Sequence, residues 1–167
     1  MTSRVFSFPD SDQRIVFEPD ALSVLSAHRQ NEGAPEAGGL LFAEFDLPMI
    51  RVVKVSPPHI KDQRWRTLFI PDRRRQRSLI KKMFEQNLHF IGEWHTHPIE
   101  IPNPSMLDLE SMSDSFRKSK HELDCFIMVI VRSCMTELDL WVSAHDGKGY
   151  FPLKEITRYS QERNEEI

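Results

Sequence analysis

The chain has 167 residues, a formal net charge of −3, 40% hydrophobic and 28% charged residues, an ordinary globular balance long enough for one domain with its own core. That near-neutral charge excludes the strong positive field of a nucleic-acid or membrane-surface binder, so neither partner is expected. No apolar run approaches the roughly 20 residues of a membrane span, and the first residues lack a signal-peptide core.

Taken in order, residues 1–13 are polar without a period and read as a loose arm. Arg14 to Glu18 is a short strand. Pro19-Asp20 starts a helix whose stripe of Ala21, Leu22, Val24, Leu25 and His28 runs to about Gln30. A turn over Asn31 to Pro35 precedes Glu36, which opens a strand through Phe45 that begins with Gly38-Gly39. Glycine inside a strand marks a close approach by another group. A carboxylate beside that gap is placed to face a pocket, although Glu36 taken alone is a solvated strand-end residue. Met49 to Val55 is the partner strand, with Leu47-Pro48 in the turn, and Ser56 to Arg64 is a loop. Arg66 to Ile70 is another strand. Pro71-Asp72 starts a helix to about Asn87, with Leu79, Ile80, Met83 and Phe84 as its buried stripe. The Arg73–Arg77 run on it reads as a solvated helix face; without interleaved aromatics it offers no stacking platform for nucleic acid.

His89 to His97 reads as the central strand, and a helix follows from Ser105 to about Lys118. Asp124 to Val131 is a continuous apolar run suited to a strand buried on both faces. Glu137 to Ala144 alternates as a half-buried strand, and Tyr150 to Leu153 forms a last short one. Thr157 to Ile167 is a charged tail. Cys125 and Cys134 have neither zinc nor redox spacing. Cys125 reads as a buried thiol, and the pair fits a reducing cytoplasm. The expected domain covers 14–156, between the arm and the tail of 157–167, and is a mixed sheet with helices on its faces.

The chemistry gathers in one stretch: His95-Thr96-His97-Pro98, six residues, then Ser105-Met106-Leu107-Asp108. On a strand, residues i and i+2 share a face, so His95 and His97 aim two imidazoles at one point while Thr96 turns away. Pro98 stops the strand. Asp108 falls in the first turn of the next helix. A lone His-x-His pair is more often a surface or core feature than a ligand pair, and Ser-x-x-Asp by itself is a helix start close to a capping box. The combination is more specific. Two imidazoles and one carboxylate converging, with a fourth position left open, form the ligand set of a catalytic zinc.

The set Glu36, His95, His97, Ser105 and Asp108, at this order and spacing, resembles the signature of the JAMM (MPN+) metalloproteases, the zinc isopeptidases that remove ubiquitin and ubiquitin-like modifiers. The likeness extends from about Arg14 to Phe151. It implies a three-layer α/β/α fold with a central mixed sheet, resembling cytidine deaminases, although the Pro-Cys-x-x-Cys ligands of a deaminase are missing. It makes His95, His97 and Asp108 the Zn2+ ligands, Glu36 the base for the attacking water and Ser105 a donor to the oxyanion. Glu93 and Trp94 become second-layer or packing positions. Among bacterial members, the Gly92-Glu93-Trp94-His95-Thr96-His97-Pro98 block is most similar to the small deconjugating peptidases of CBASS antiphage operons. There a fused E1–E2-like enzyme attaches the C-terminus of a cGAS-like nucleotidyltransferase to target amines, and the peptidase cuts that link. The implied partner is thus the C-terminal tail of a conjugated protein, either the nucleotidyltransferase or a ubiquitin-like modifier. It would add as a strand to a sheet edge near Ser56–Arg64 and Leu109–Glu122. Two other readings stand beside this one: a processing peptidase for another ubiquitin-like or sulfur-carrier protein, and a metal-free MPN scaffold. A scaffold typically lacks a ligand, whereas all five positions are filled here.

Overall fold

In the computed structural model, residues 1–98, 101, 103–132 and 137–156 are described. The elements in chain order are β1 (Arg4–Ser7), β2 (Arg14–Phe17), α1 (Pro19–Ala27), β3 (Gly38–Asp46) and β4 (Met49–Val55). Then come β5 (Gln63–Trp65), β6 (Leu68–Ile70), α2 (Arg73–Phe84), β7 (His89–His97) and α3 (Met106–Lys118). The last are β8 (Phe126–Arg132), β9 (Asp139–His145), β10 (Tyr150–Pro152) and β11 (Lys154–Ile156).

Nine of the strands form one mixed sheet in the order β10-β9-β8-β7-β3-β4-β2-β1-β11, and β5 with β6 makes a separate hairpin. The β7–β8 and β2–β4 pairs are parallel, and each is bridged in sequence by at least one helix. Residue alternation assigns the two faces. From β8, Ile127, Val129 and Val131 join a cluster with Ala21, Leu22 and Leu25 of α1. Phe126, Met128 and Ile130 instead meet Met112, Leu109 and Phe116 of α3. Leu40 and Phe42 of β3 meet Met83, Leu79 and Ile80 of α2. So α1 covers one face and α2 and α3 cover the other, the arrangement expected of a sheet whose central strands are apolar throughout.

The sheet curls. Its two edge strands, β10 and β11, are separated in the chain by Leu153 alone, so the edges lie close together. Phe6 and Phe17, near one edge, share a cluster with Leu140 and Val142 near the other. Arg4 donates from Nη1 to the Leu138 carbonyl at 2.6 Å across the gap. The α1 face is therefore concave and holds the largest core.

Several expectations are corrected. The N-terminal stretch is not a loose arm throughout: Arg4–Ser7 pairs with both β2 and β11, and Val5, Phe6 and Phe8 are buried. Val-Phe-Ser-Phe is too short to show a period, and its partner β11 is some 150 residues away in the chain, beyond the reach of local reading. The strand read over Arg66–Ile70 is half of a hairpin, because Gln63–Trp65 pairs back on Leu68–Ile70. Phe84 ends α2 64% exposed, outside the buried stripe, where it packs edge-on against His89. The first helix stops at Ala27, and Cys125 is half-buried. Cys134 and the tail from Thr157 to Ile167 lie outside the described residues. No helix among the described residues is long and apolar enough to cross a membrane.

Candidate metal centre

The site forms at the end of β7. Phe90 and Ile91 lead in, and Gly92 lies against the Ile127 carbonyl of β8 at a φ of 155°, where a side chain would collide. After this point Glu93, His95 and His97 face α2 and α3, while Trp94 and Thr96 face the concave core. Trp94 is buried there and donates from Nε1 to the Ser56 carbonyl at 2.9 Å, so it is a packing residue.

α3 supplies the third group. Its N-cap is Ser105, and the capping box is complete: the Asp108 N–H donates to Ser105 Oγ at 3.2 Å, and the Ser105 N–H donates to Asp108 Oδ2 at 2.6 Å. The Ser105 hydroxyl also donates to Asp108 Oδ2, at 2.7 Å. The same residues that start the helix thus aim a carboxylate at the strand.

His95, His97 and Asp108 meet. Their donor atoms are spaced 3.0 Å (His95 Nε2 to His97 Nε2), 3.4 Å (His95 Nε2 to Asp108 Oδ1) and 3.3 Å (His97 Nε2 to Asp108 Oδ2). The two contacts to Asp108 run to different carboxylate oxygens; with one ligand atom taken from each residue, the three lie within 4.8 Å of one another, close enough for one ion with bonds of about 2.0–2.1 Å to gather them. The tautomer fits as well. His97 Nδ1 lies 2.8 Å from the Ile101 carbonyl, which can only accept. In the neutral ring the proton therefore sits on Nδ1, and the Nε2 lone pair is directed into the triangle.

Glu36 arrives from the neighbouring strand. Gly38 pairs with His95 in the antiparallel β3–β7 ladder. Thr96 N–H donates to the Ala37 carbonyl at 2.8 Å, and Ala37 N–H donates to Thr96 Oγ1 at 2.9 Å. The register thus continues past β3 and sets Glu36 opposite His97, on the same face. The paired glycines do mark close approach: a side chain at Gly38 would meet the Phe69 ring and the Trp94 carbonyl, and one at Gly39 the Ser56 carbonyl. Glu36 is not a solvated strand end. It is 4% exposed, and its backbone is held by the hairpin, where its N–H donates to the Trp65 carbonyl at 2.8 Å and its carbonyl accepts from Arg64 Nε at 2.5 Å.

The electrostatics separate the two carboxylates. Burial raises the Glu36 pKa to about 7, with His97 lowering it and Asp108 raising it. Asp108 goes the other way. Burial opposes its charge, but hydrogen bonds from His95, His97 and Ser105 hold it well below the usual carboxylate range. For His97, burial works against the proton, but the bond and charge of Asp108 and the charge of Glu36 outweigh it, and its pKa is raised. A carboxyl that titrates near neutrality thus sits beside one that stays anionic.

Three features were not anticipated. The Ile101 carbonyl fixes the His97 tautomer from a position with no side-chain signal. Thr96, read as turned away, carries the bond that extends the ladder. Arg73, read as part of a solvated face, pairs with Glu93 at 2.5 Å.

A family model described as prokaryotic homologs of the JAB domain matches residues 18–143. A CD-NTase/cGAS isopeptidase of Escherichia coli (strain TW11681) is 31% identical over 106 residues, covering 61% of this chain and 68% of that protein. One from Pseudomonas aeruginosa (strain BWHPSA011 / Pa011) is 26% identical over 149 residues, 87% of this chain and 94% of that one. A solution structure of a Desulfitobacterium hafniense protein superposes with a TM-score of 0.62 at 20% identity, covering 81% of this chain and 87% of that one, which speaks to the fold alone. The matched span runs from the residue before α1 into β9 and contains all five site positions; on it, this chain belongs to the family of prokaryotic JAB-domain homologues.

Proposed function

We propose that this chain is a Zn2+-dependent isopeptidase that cuts the amide joining the C-terminus of a CD-NTase/cGAS-like protein to a target amine. The observation that carries the reading is the triangle of His95, His97 and Asp108 donor atoms with Glu36 set opposite His97. The names of the relatives supply the substrate class. The proposal includes the reverse relation to an E1–E2-like conjugating enzyme, and it treats the helix–sheet–helix layering as the curled form of the deaminase-like arrangement.

His95, His97 and Asp108 would hold zinc, which when bound polarises the scissile carbonyl and makes water a nucleophile near neutral pH. The remaining work falls to protein groups. Glu36, buried and set opposite His97, takes the proton of the attacking water and passes it to the leaving amine. Ser105 sits at the N-terminus of α3 with its hydroxyl on Asp108 Oδ2. To serve the oxyanion, that hydroxyl must rotate from the carboxylate to the substrate oxygen, where a donor stabilises the charge that develops. The Ile101 carbonyl keeps His97 in the ligating tautomer.

The test is to incubate the protein with a purified nucleotidyltransferase fused at its C-terminus to a reporter, with and without chelator. Chelator-sensitive release of the reporter is expected. Release that ignores the chelator, or cleavage elsewhere in the fusion, overturns the proposal.

A further inference from the structure

Arg73 opens α2, and its guanidinium reaches three elements. Nη1 donates to Gln76 Oε1 at 2.9 Å on its own helix and to Glu93 Oε1 at 2.5 Å on β7. Nη2 lies 3.5 Å from Ser111 Oγ on α3, a long contact. Glu93 is two residues before His95, on the same face of the strand. Ser111 is three residues beyond Asp108, one turn along the same side of the helix. One side chain therefore spans from the strand that carries both imidazoles to the helix that carries the carboxylate, one step behind the ligands on each side.

Apart from the Ser105 cap and the contacts of Asp108 with His95 and His97, the first turn of α3 has little to fix it among the described residues. Met106 and Leu107 are 70% and 58% exposed, Leu109 is half-buried, and Met112 is the buried residue of the helix. Apolar packing thus anchors α3 from its second turn onward, while Asp108 lies in the first. The charge of Arg73 is answered by Glu93, but that pair gives no reason for the reach to α3. Its planar fork does give one, since it can bond to two elements at once.

We infer that Arg73 is a positioning residue: anchored by Glu93, its fork sets the spacing between β7 and the start of α3 and so places Asp108 against His95 and His97. This rests on the metal reading above. Two physical roles then predict opposite signs. A field effect makes zinc bind more tightly when the charge is removed, and a positioning effect makes it bind more weakly.

The experiment is a zinc titration against a chromophoric chelator, with the d–d spectrum of the Co2+ form and the thermal melt of the metal-free protein measured in parallel. Wild-type protein, Arg73→Met, Arg73→Lys and Ser111→Ala are compared. Positioning predicts that Arg73→Met weakens zinc, by less than the roughly 10- to 100-fold that follows loss of a group bonded directly to a ligand, and distorts the Co2+ spectrum. Arg73→Lys keeps the charge but not the fork and is expected to weaken zinc as well. Wild-type affinity in Arg73→Lys overturns the fork, and unchanged or tighter binding in Arg73→Met overturns positioning altogether. If Arg73→Met does not fold without metal, Ser111→Ala decides: a loss of zinc affinity outside the error of the titration supports the span to α3, and no such loss overturns it. A wild-type protein that binds no zinc sinks the metal reading and this inference together, whereas a zinc-binding wild type with an equal Arg73→Met sinks this inference alone.

Discussion

Thr96→Val isolates the bond that delivers Glu36 to the site. Thr96 is fully buried between the two histidines. Its Oγ1 accepts from Ala37 N–H at 2.9 Å and donates to Gln30 Oε1 at 3.4 Å. Valine has nearly the same shape, so the change removes hydrogen bonding and leaves the packing. Ala37 is 2% exposed, and its N–H has no water to turn to. Stranding such a donor costs about 1–3 kcal/mol, and the long Gln30 contact adds little. In a chain of this size, about 2 kcal/mol lowers the melting temperature by roughly 4–8 °C. The strand end can relieve the cost by peeling away from β7, which moves Glu36 from its place opposite His97, so turnover falls along with stability. Thermal unfolding of the metal-free protein and cleavage of a C-terminal fusion measure both effects. Thr96→Ser keeps the hydroxyl and should restore turnover, giving up only a buried methyl worth about 1 kcal/mol. A Thr96→Val protein that melts within about 1 °C of wild type refutes the claim that Ala37 depends on this hydroxyl.

Glu36→Gln should keep its metal, since position 36 is outside the ligating trio, and lose about 10²- to 10⁴-fold in turnover; normal cleavage by this variant would falsify its role as base. The same substitution has a stability signature. Burial raises the folded pKa of Glu36 from 4.5 to about 7, so the metal-free wild type has its full contribution below pH 4.5 and loses about 3 kcal/mol as pH rises through 7. Urea midpoints of Glu36→Gln should lack that decline, and an identical decline in the variant assigns it to another group. Asp108→Ala should lower zinc occupancy together with activity, because an oxygen ligand is gone; full occupancy by elemental analysis moves the third ligand elsewhere. His145 behaves oppositely to Glu36. It is 2% exposed, its Nε2 is 2.8 Å from Ser143 Oγ, and burial lowers its pKa from 6.5 to about 4. Its contribution is whole above pH 6.5 and is lost, by about 3 kcal/mol, as pH falls through 4. His145→Asn should flatten the acid limb of the stability profile, and an unchanged limb rejects the assignment.

What the sequence revealed was what depends on neighbours in the chain. Pro98 and the Ser105–Asp108 capping box are local devices, and they bound β7 and α3 as read. The alternation on β7 depends only on the pleat, so the shared face of His95 and His97 could be read before any partner strand was known. The apolar run of β8 likewise declared a strand covered on both sides. Contacts set by distant segments stayed hidden. β1 has too few residues to show a period, and its burial is decided by β11 at the far end of the chain. The burial of Glu36 depends on the hairpin of β5 and β6 and on a ladder that runs two residues past its strand. Arg73 looked like one of several solvated arginines because Glu93, its partner, lies 20 positions away on another element.

The same division explains how the centre is built. Three of its groups, Glu36, His95 and His97, ride on paired strands whose spacing is fixed by backbone bonds, so their mutual geometry is stiff. The fourth, Asp108, rides on a helix whose buried anchor comes a turn later; Ser105 orients its carboxylate from the N-cap, and Arg73 reaches the same helix at Ser111. Such a ligand can follow small shifts of α3 while the strands stay put. Changes in the strand ladder should therefore damage fold and activity together. Changes at the α3 ties should act first on metal affinity and leave the melting of the metal-free protein nearly untouched. Comparing the two classes in one set of melts and titrations separates them: a Ser111→Ala protein that loses stability as heavily as Thr96→Val, with its zinc affinity intact, would mean that the helix is as rigidly held as the sheet.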